Sequence, residues 1–171
     1  QGFDQYANVR PSRVLPGVTS PLANGKDIDW VIIRENSEGE YSGSGGRVHK
    51  GLPEEIATET SVFTRVGVER IHRFAFELAR KRPRKLLTLV TKSNAQRHGM
   101  VLWDEIFYEV AKKYPDVKTD RILVDAMTTR MVLKPASLDT IVASNLHADI
   151  LSDLAAALSG SLGIAPTANL N

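Results

Sequence analysis

"VGVERIHRFAFELARKR" (residues 66–82) followed by "KLLTLVTKS" (residues 85–93) decides the reading of the fold. In the first segment Ile71, Phe74, Ala75 and Leu78 share one face at helical spacing. The basic tail suits the negative end of a helix dipole, and Pro83 stops the helix. The second segment is a short apolar run that ends in charge, the pattern of a buried strand. Downstream the pair repeats. "HGMVLWDEIFYEVAKKYP" (98–115) reads as a helix closed by proline, "VKTDRILV" (117–124) as a strand and "DAMTTRMVLKP" (125–135) as a short helix. "LDTIVAS" (138–144) is a further strand, and residues 145–159 form a last helix with Gly160 just past its end. This alternation predicts an α/β layer structure: a largely parallel sheet with flanking helices.

Upstream the pattern changes. "DWVIIRE" (29–35) is another buried strand. The first 28 residues, rich in Pro, Gly, Asn and Ser, read as extended chain and loop with a short strand at 13–15. "EGEYSGSGGRVHKGLPEE" is too glycine-rich for a helix, and "IATETSVFTR" alternates and is β-branched. Together they predict a long hairpin arm over about residues 40–65.

The composition narrows the function. At 171 residues, 42% of them apolar, the chain can bury a real core. A net charge of +2 gives no reason to expect nucleic acid or a membrane surface, and no apolar run approaches a membrane span. The absence of cysteine excludes disulfides, zinc–thiolate sites and thiol nucleophiles, and fits a cytoplasmic protein. A start without methionine, and a stop just after an apolar helix and a Gly-rich turn, lead us to expect a piece of a longer polypeptide.

Polar groups follow the apolar strands in "LVTKSN", "LVDAM" and "VASNLHAD". Ligands of open α/β sheets sit beyond the carboxyl ends of strands, so Lys92, Asn94, Asp125, Asn145 and Asp149 are expected on one edge. Arg34 and Asn36 join them if their strand points the same way. Asp149 and Asp153, four residues apart in an apolar helix, stack two like charges on one face. They are either a solvated acidic edge or ligands of a hard divalent cation, with Asp125 as a third oxygen donor. Lys92, leaving a buried strand, is a candidate base if desolvated. The Tyr41 phenol is a candidate proton donor, and Arg10 and Arg34 are candidate carboxylate forks. His147 is more readily a hydrogen-bonding group than a ligand. "GSGG" (43–46) is not a phosphate loop, since no Lys-Ser/Thr follows it. The apolar band of the last helix is wider than one face needs, and is expected either to pack against the same helix of a second copy or to be buried within one subunit.

"YANVRP", "IIRENSEGEYSG", "VTKSN", "VDAM" and "NLHADILSDLAAALSGSLGIAP" resemble, in the same order, the motifs of the β-decarboxylating dehydrogenases. These comprise the isocitrate, isopropylmalate and tartrate/D-malate enzymes, and the last group is the most similar. The resemblance implies an isopropylmalate dehydrogenase-like fold and NAD-dependent oxidation and decarboxylation of a 2-hydroxy dicarboxylic acid. A 3-isopropylmalate dehydrogenase is the nearest alternative, and a non-catalytic dimerisation module is an alternative of another class. By the same resemblance Arg10 and Arg34 hold substrate carboxylates, Tyr41 protonates the enol and Lys92 removes the hydroxyl proton. Asp125, Asp149 and Asp153 hold Mg²⁺ or Mn²⁺, Asn94 lies near the nicotinamide, and a monovalent cation such as K⁺ is a further candidate. Lys92 and Asp125 are implied to reach into the site of the other subunit of a homodimer. Residues 1–159 are expected to form the central substrate, metal and dimerisation domain, and residues 160–171 to begin the return into a second one. A third arginine and the adenosine-binding loop are expected in parts of the family pattern that lie outside these residues.

Overall fold

The computed structural model describes residues 4–161 and 166–171. A six-stranded sheet forms the centre, in the order β6-β5-β7-β2-β1-β8. Its strands are β1 (Ala7–Arg13), β2 (Asp29–Glu35), β5 (Leu86–Thr91), β6 (Lys118–Leu123), β7 (Thr140–Ala143) and β8 (Ala168–Leu170). Strands β6, β5, β7 and β2 run parallel, while β1 is antiparallel to both of its neighbours. Strands β3 (Gly39–Val48) and β4 (Ile56–Val62) pair separately as the expected arm, whose outer residues are almost all exposed.

The sheet is covered on both faces, which explains its continuous apolar runs. Val31 and Ile33 of β2 pack on one side with Leu87, Leu89 and helices α1 (Arg65–Lys81) and α2 (Gly99–Ala111). Trp30 and Ile32 face the other side, against Ile141 and helices α3 (Val124–Leu133) and α4 (Asn145–Leu158). Adjacent residues of one strand therefore serve two cores, as the period of two requires.

The caps follow the sequence. The Thr64 hydroxyl accepts from the amide of Gly67 at 3.0 Å, which is a standard N-cap for α1. The carboxylate of Glu38 in turn accepts from the Thr64 amide at 2.9 Å and hydroxyl at 2.8 Å, fastening the root of the arm to α1. Gly160 ends α4 at a φ of +68°, and a Cβ there would meet the Thr19 carbonyl oxygen at 2.6 Å. Only glycine satisfies both the left-handed backbone and the close approach.

One expectation is corrected. The first strand is Ala7–Arg13, not residues 13–15. Pro11 made the segment look irregular, but it lies past the last residue of β1 that pairs with β8, where the strand is an edge and tolerates proline. The broad apolar band of α4 is only partly a core feature: Leu151, Ala155 and Leu158 are buried, whereas Ile150 and Ala157 are exposed. Residues 162–165, in the expected Gly-rich turn, lie outside the described residues. Among the described residues no helix is long and apolar enough to cross a membrane.

His72 of α1 is fully buried, 4.3 Å from the Trp103 ring and 5.3 Å from that of Phe107. Burial drives its imidazole down to about 3, against which a hydrogen bond to the Trp103 carbonyl acts weakly. The unfolded chain thus binds the extra proton between about pH 6.5 and 3, and acid in that window favours unfolding. Stability should fall by up to about 1.4 kcal/mol per pH unit from this group alone on acidification through that window. Urea denaturation of His72→Leu across the same range should show a slope shallower by up to one proton. An unchanged slope would contradict the buried neutral imidazole.

Candidate active site

Because β2, β5, β6 and β7 are parallel, their carboxyl ends share one edge, the edge at which open α/β sheets bind ligands. Arg34, the penultimate residue of β2, stands in register with Ala143 at the end of β7, beside the first turn of α4. Its Nε donates to Asn145 Oδ1 at 2.9 Å, and its Nη1 donates to Asp149 Oδ1. Arg10 of β1 approaches the same Asp149 oxygen at 3.5 Å. It is steadied by Asn8 Oδ1, which accepts from its Nε at 2.6 Å, and by the Ser152 hydroxyl, which accepts from Nη1. The Tyr41 hydroxyl, at the base of the arm, donates to Asp149 Oδ2 at 3.0 Å, and the Arg34 guanidinium lies 5.5 Å from the Tyr41 ring centre.

Asp149 is thus the node of the site. Two guanidinium groups and a phenol converge on one carboxylate that remains 38% exposed, while Arg34 is only 11% exposed. The hydrogen bond to Asp149 is the main cause that pushes the Tyr41 phenol above its ordinary range; burial and the aspartate's charge add to it and Arg34 opposes it. A phenol so held is protonated at neutral pH, as a proton donor must be. The arginines also offset the repulsion between Asp149 and Asp153. Asp153 lies one turn along, exposed, and makes no hydrogen bond or ion pair among the described residues.

The rest of the expected cluster lies apart. Lys92, directly after β5, donates to Asp125 in the first turn of α3, and this contact holds the Asp125 carboxyl below its usual range. The lysine that sequence offered as a desolvated base is therefore ion-paired within this chain. Asn94 is exposed in the turn after β5. His147, in the first turn of α4, is buried and its imidazole is pushed down by that burial. Among the described residues no three acidic or imidazole groups gather closely enough to hold a metal ion. The single edge cluster expected from the strand ends is thus two groups in one chain. Asp125 follows β6 and Asp149 follows β7, with β5 between them. The Asp149 carboxylate is drawn further still, onto Arg34 of β2 and Arg10 of β1, so the two aspartates do not share an ion within one chain. Asp149 and Asp153 place two carboxylates on one helix face, of which only Asp153 is open while Asp149 is held by Arg34, Arg10 and Tyr41; as oxygen donors they fit a hard divalent cation short of ligands.

Asn8 and Ser152 were not singled out from the sequence. Ser152 carried a usable signal, since it stands three residues after Asp149 in an otherwise apolar helix. A concavity of about 380 Å³, lined by Arg13, Trp30 and Arg82, lies at the opposite end of β2.

A family model described as isocitrate/isopropylmalate dehydrogenase matches residues 1–171. The chain belongs to the isocitrate/isopropylmalate dehydrogenase family. It is 75% identical over its whole length to a probable tartrate dehydrogenase/decarboxylase of Agrobacterium vitis, covering 48% of that protein. It is 53% identical to the decarboxylating D-malate dehydrogenase of Escherichia coli strain K12 over 99% of this chain and 47% of that one. The crystal structure of isocitrate dehydrogenase from Methylococcus capsulatus superposes with a TM-score of 0.91 at 42% identity, covering all of this chain and 50% of that one. The chain spans about half the length of the curated relatives it matches.

Asp149→Asn removes the charge that restrains Tyr41. Difference ultraviolet titration should show one of the four tyrosines returning toward the ordinary value of about 10. A titration unchanged by the substitution would contradict the Tyr41–Asp149 contact.

Proposed function

We propose that the complete polypeptide oxidises and decarboxylates a 2-hydroxy dicarboxylic acid of the tartrate/D-malate type, with NAD as hydride acceptor and Mg²⁺ or Mn²⁺ as Lewis acid. One observation carries this reading: in a chain of this family, Arg10, Arg34 and the Tyr41 hydroxyl converge on Asp149, one turn from the open carboxylate of Asp153. Both arginines present charged forks suited to a second carboxylate, that of the substrate. When they turn to it, Asp149 is freed and, with Asp153, can hold the cation. The cation supplies a lowered pKa for the substrate hydroxyl and stabilises the negative charge left as CO₂ departs.

Lys92 and Asp125 then act in the site of a second copy. Both stand beyond strands at the candidate edge, the Asp125 side chain is 65% exposed, and neither contacts the Asp149 group of its own chain. Once Asp125 leaves Lys92 for the cation and Lys92 has given a proton to solvent, Lys92 as the free amine would accept the proton of the substrate hydroxyl, while the hydride of the C–H bond is given up to the cofactor. Cleavage of the bond to the carboxylate at the adjacent carbon releases CO₂ and leaves an enol(ate), to which Tyr41 delivers a proton. Asn94, beside Lys92, is the residue of this chain we assign to the nicotinamide side. Residues 1–159 serve as the substrate, metal and dimerisation domain; the chain beyond them adds β8 to the same sheet and then leads to a second domain.

The complete polypeptide, assayed with NAD and Mn²⁺, should turn over D-malate and L-tartrate better than 3-isopropylmalate and should lose activity in EDTA. Turnover of none of the three, or activity indifferent to EDTA, would overturn the reading. Shared sites have their own test. Lys92→Ala and Asp149→Asn should each abolish oxidation, and copies refolded together should regain part of it, because one site of the hybrid is intact. No recovery in a mixture shown to contain hybrids would place Lys92 in its own chain's site.

A further inference from the structure

We infer that Asn145 is a positioning residue for Arg34, fixing which edge of its guanidinium faces the substrate; this rests on the proposed dicarboxylate function. Asn145 opens α4 immediately after β7 and is only 4% exposed. A buried amide at that place needs partners for both ends. It has them from two different elements. Its Oδ1 accepts from Arg34 Nε at 2.9 Å, and its Nδ2 donates to the Glu38 carbonyl at 3.0 Å, at the root of the arm.

The second bond gives the first its direction. With Nδ2 committed to a carbonyl, which can only accept, the amide cannot turn over, so its oxygen is the end that meets Arg34. The root is itself held by Glu38, whose carboxylate is bonded to Thr64 at the start of α1. The chain of contacts therefore runs from α1 through the arm and Asn145 to one nitrogen of Arg34.

The consequence is geometric. A guanidinium has five N–H groups in a fixed fork. Once Nε is occupied by Asn145, the terminal nitrogens are the ones left to bind, and Nη1 already points at Asp149. A substrate carboxylate that displaces Asp149 meets a preset fork rather than a freely rotating one, so less entropy is lost on binding. Asn145 touches neither reacting atoms nor substrate in this scheme; its effect passes through Arg34.

A double-mutant cycle in the complete polypeptide tests this. Asn145→Ala should raise KM for D-malate by about tenfold while kcat changes by less than about threefold. Lysine has no Nε–H fork to hold, so in an Arg34→Lys background the same substitution should change KM by less than about twofold. If Asn145→Ala does not fold, Asn145→Ser, whose hydroxyl is too short to bridge the two partners, enters the same cycle. Equal KM penalties in the two backgrounds, or a loss confined to kcat, would overturn the inference and leave the functional reading intact. Failure of the unsubstituted polypeptide to turn over any 2-hydroxy dicarboxylate would overturn both.

Discussion

The parallel pairing of β2 with β7 is the constraint on which the site depends. It sets Arg34 opposite Ala143, and α4 begins two residues later. A slip of one residue would turn Arg34 to the other face of the sheet, toward the apolar core covered by α1 and α2. The register is protected from both sides. Val31 and Ile33 belong to one core and Trp30 and Ile32 to the other, so a slip would exchange both sets at once.

That arrangement gives the site its electrostatic character. Arg34 is nearly buried and would be costly to leave without a carboxylate. Asp149 meets that need in this chain, and a dicarboxylate substrate would meet it in the same place. The proposed exchange would conserve charge pairing: the arginines would keep an anion throughout, and Asp149 would pass from arginine to a divalent cation. The two aspartates four residues apart, an unfavourable pair in an isolated helix, become intelligible as a carboxylate held in reserve beside one left open.

Most of the fold could be read from the chain, because each long element carries a strong local signal. The 3.6-residue spacing in α1, the unbroken apolar run of β2 and the glycine-rich stretch before the β-branched one gave the elements and the arm. Glycine at 160 marked the end of α4 through its backbone alone. What escaped is what local pattern does not encode. Strand β8 has three residues, and β1 contains a proline that only its neighbours make harmless. The order β6-β5-β7-β2 is set by crossovers, so residues that look equivalent along the sequence, Asp125 and Asp149, follow strands that are not neighbours, and Asp149 meets Arg34 of β2 instead. Arg34, Tyr41 and Asp149 could be named as candidates from residue type and position, and the structure brings them together. The roles of Asn8 and Asn145 could not be read, because a buried polar side chain is defined by partners distant in sequence.

The central claim is that Asp149 gives up its arginines to a substrate and takes a cation in their place, completed by a second copy of the chain. Anomalous diffraction at the manganese edge, from crystals of the complete polypeptide grown with Mn²⁺ and D-malate, addresses it most directly. The account predicts a peak bounded by Asp149, Asp153 and the Asp125 of another copy, with Arg10 and Arg34 on the substrate's carboxylates. A substrate-bound structure in which both arginines remain on Asp149 and the peak is absent, or lies elsewhere, would contradict it.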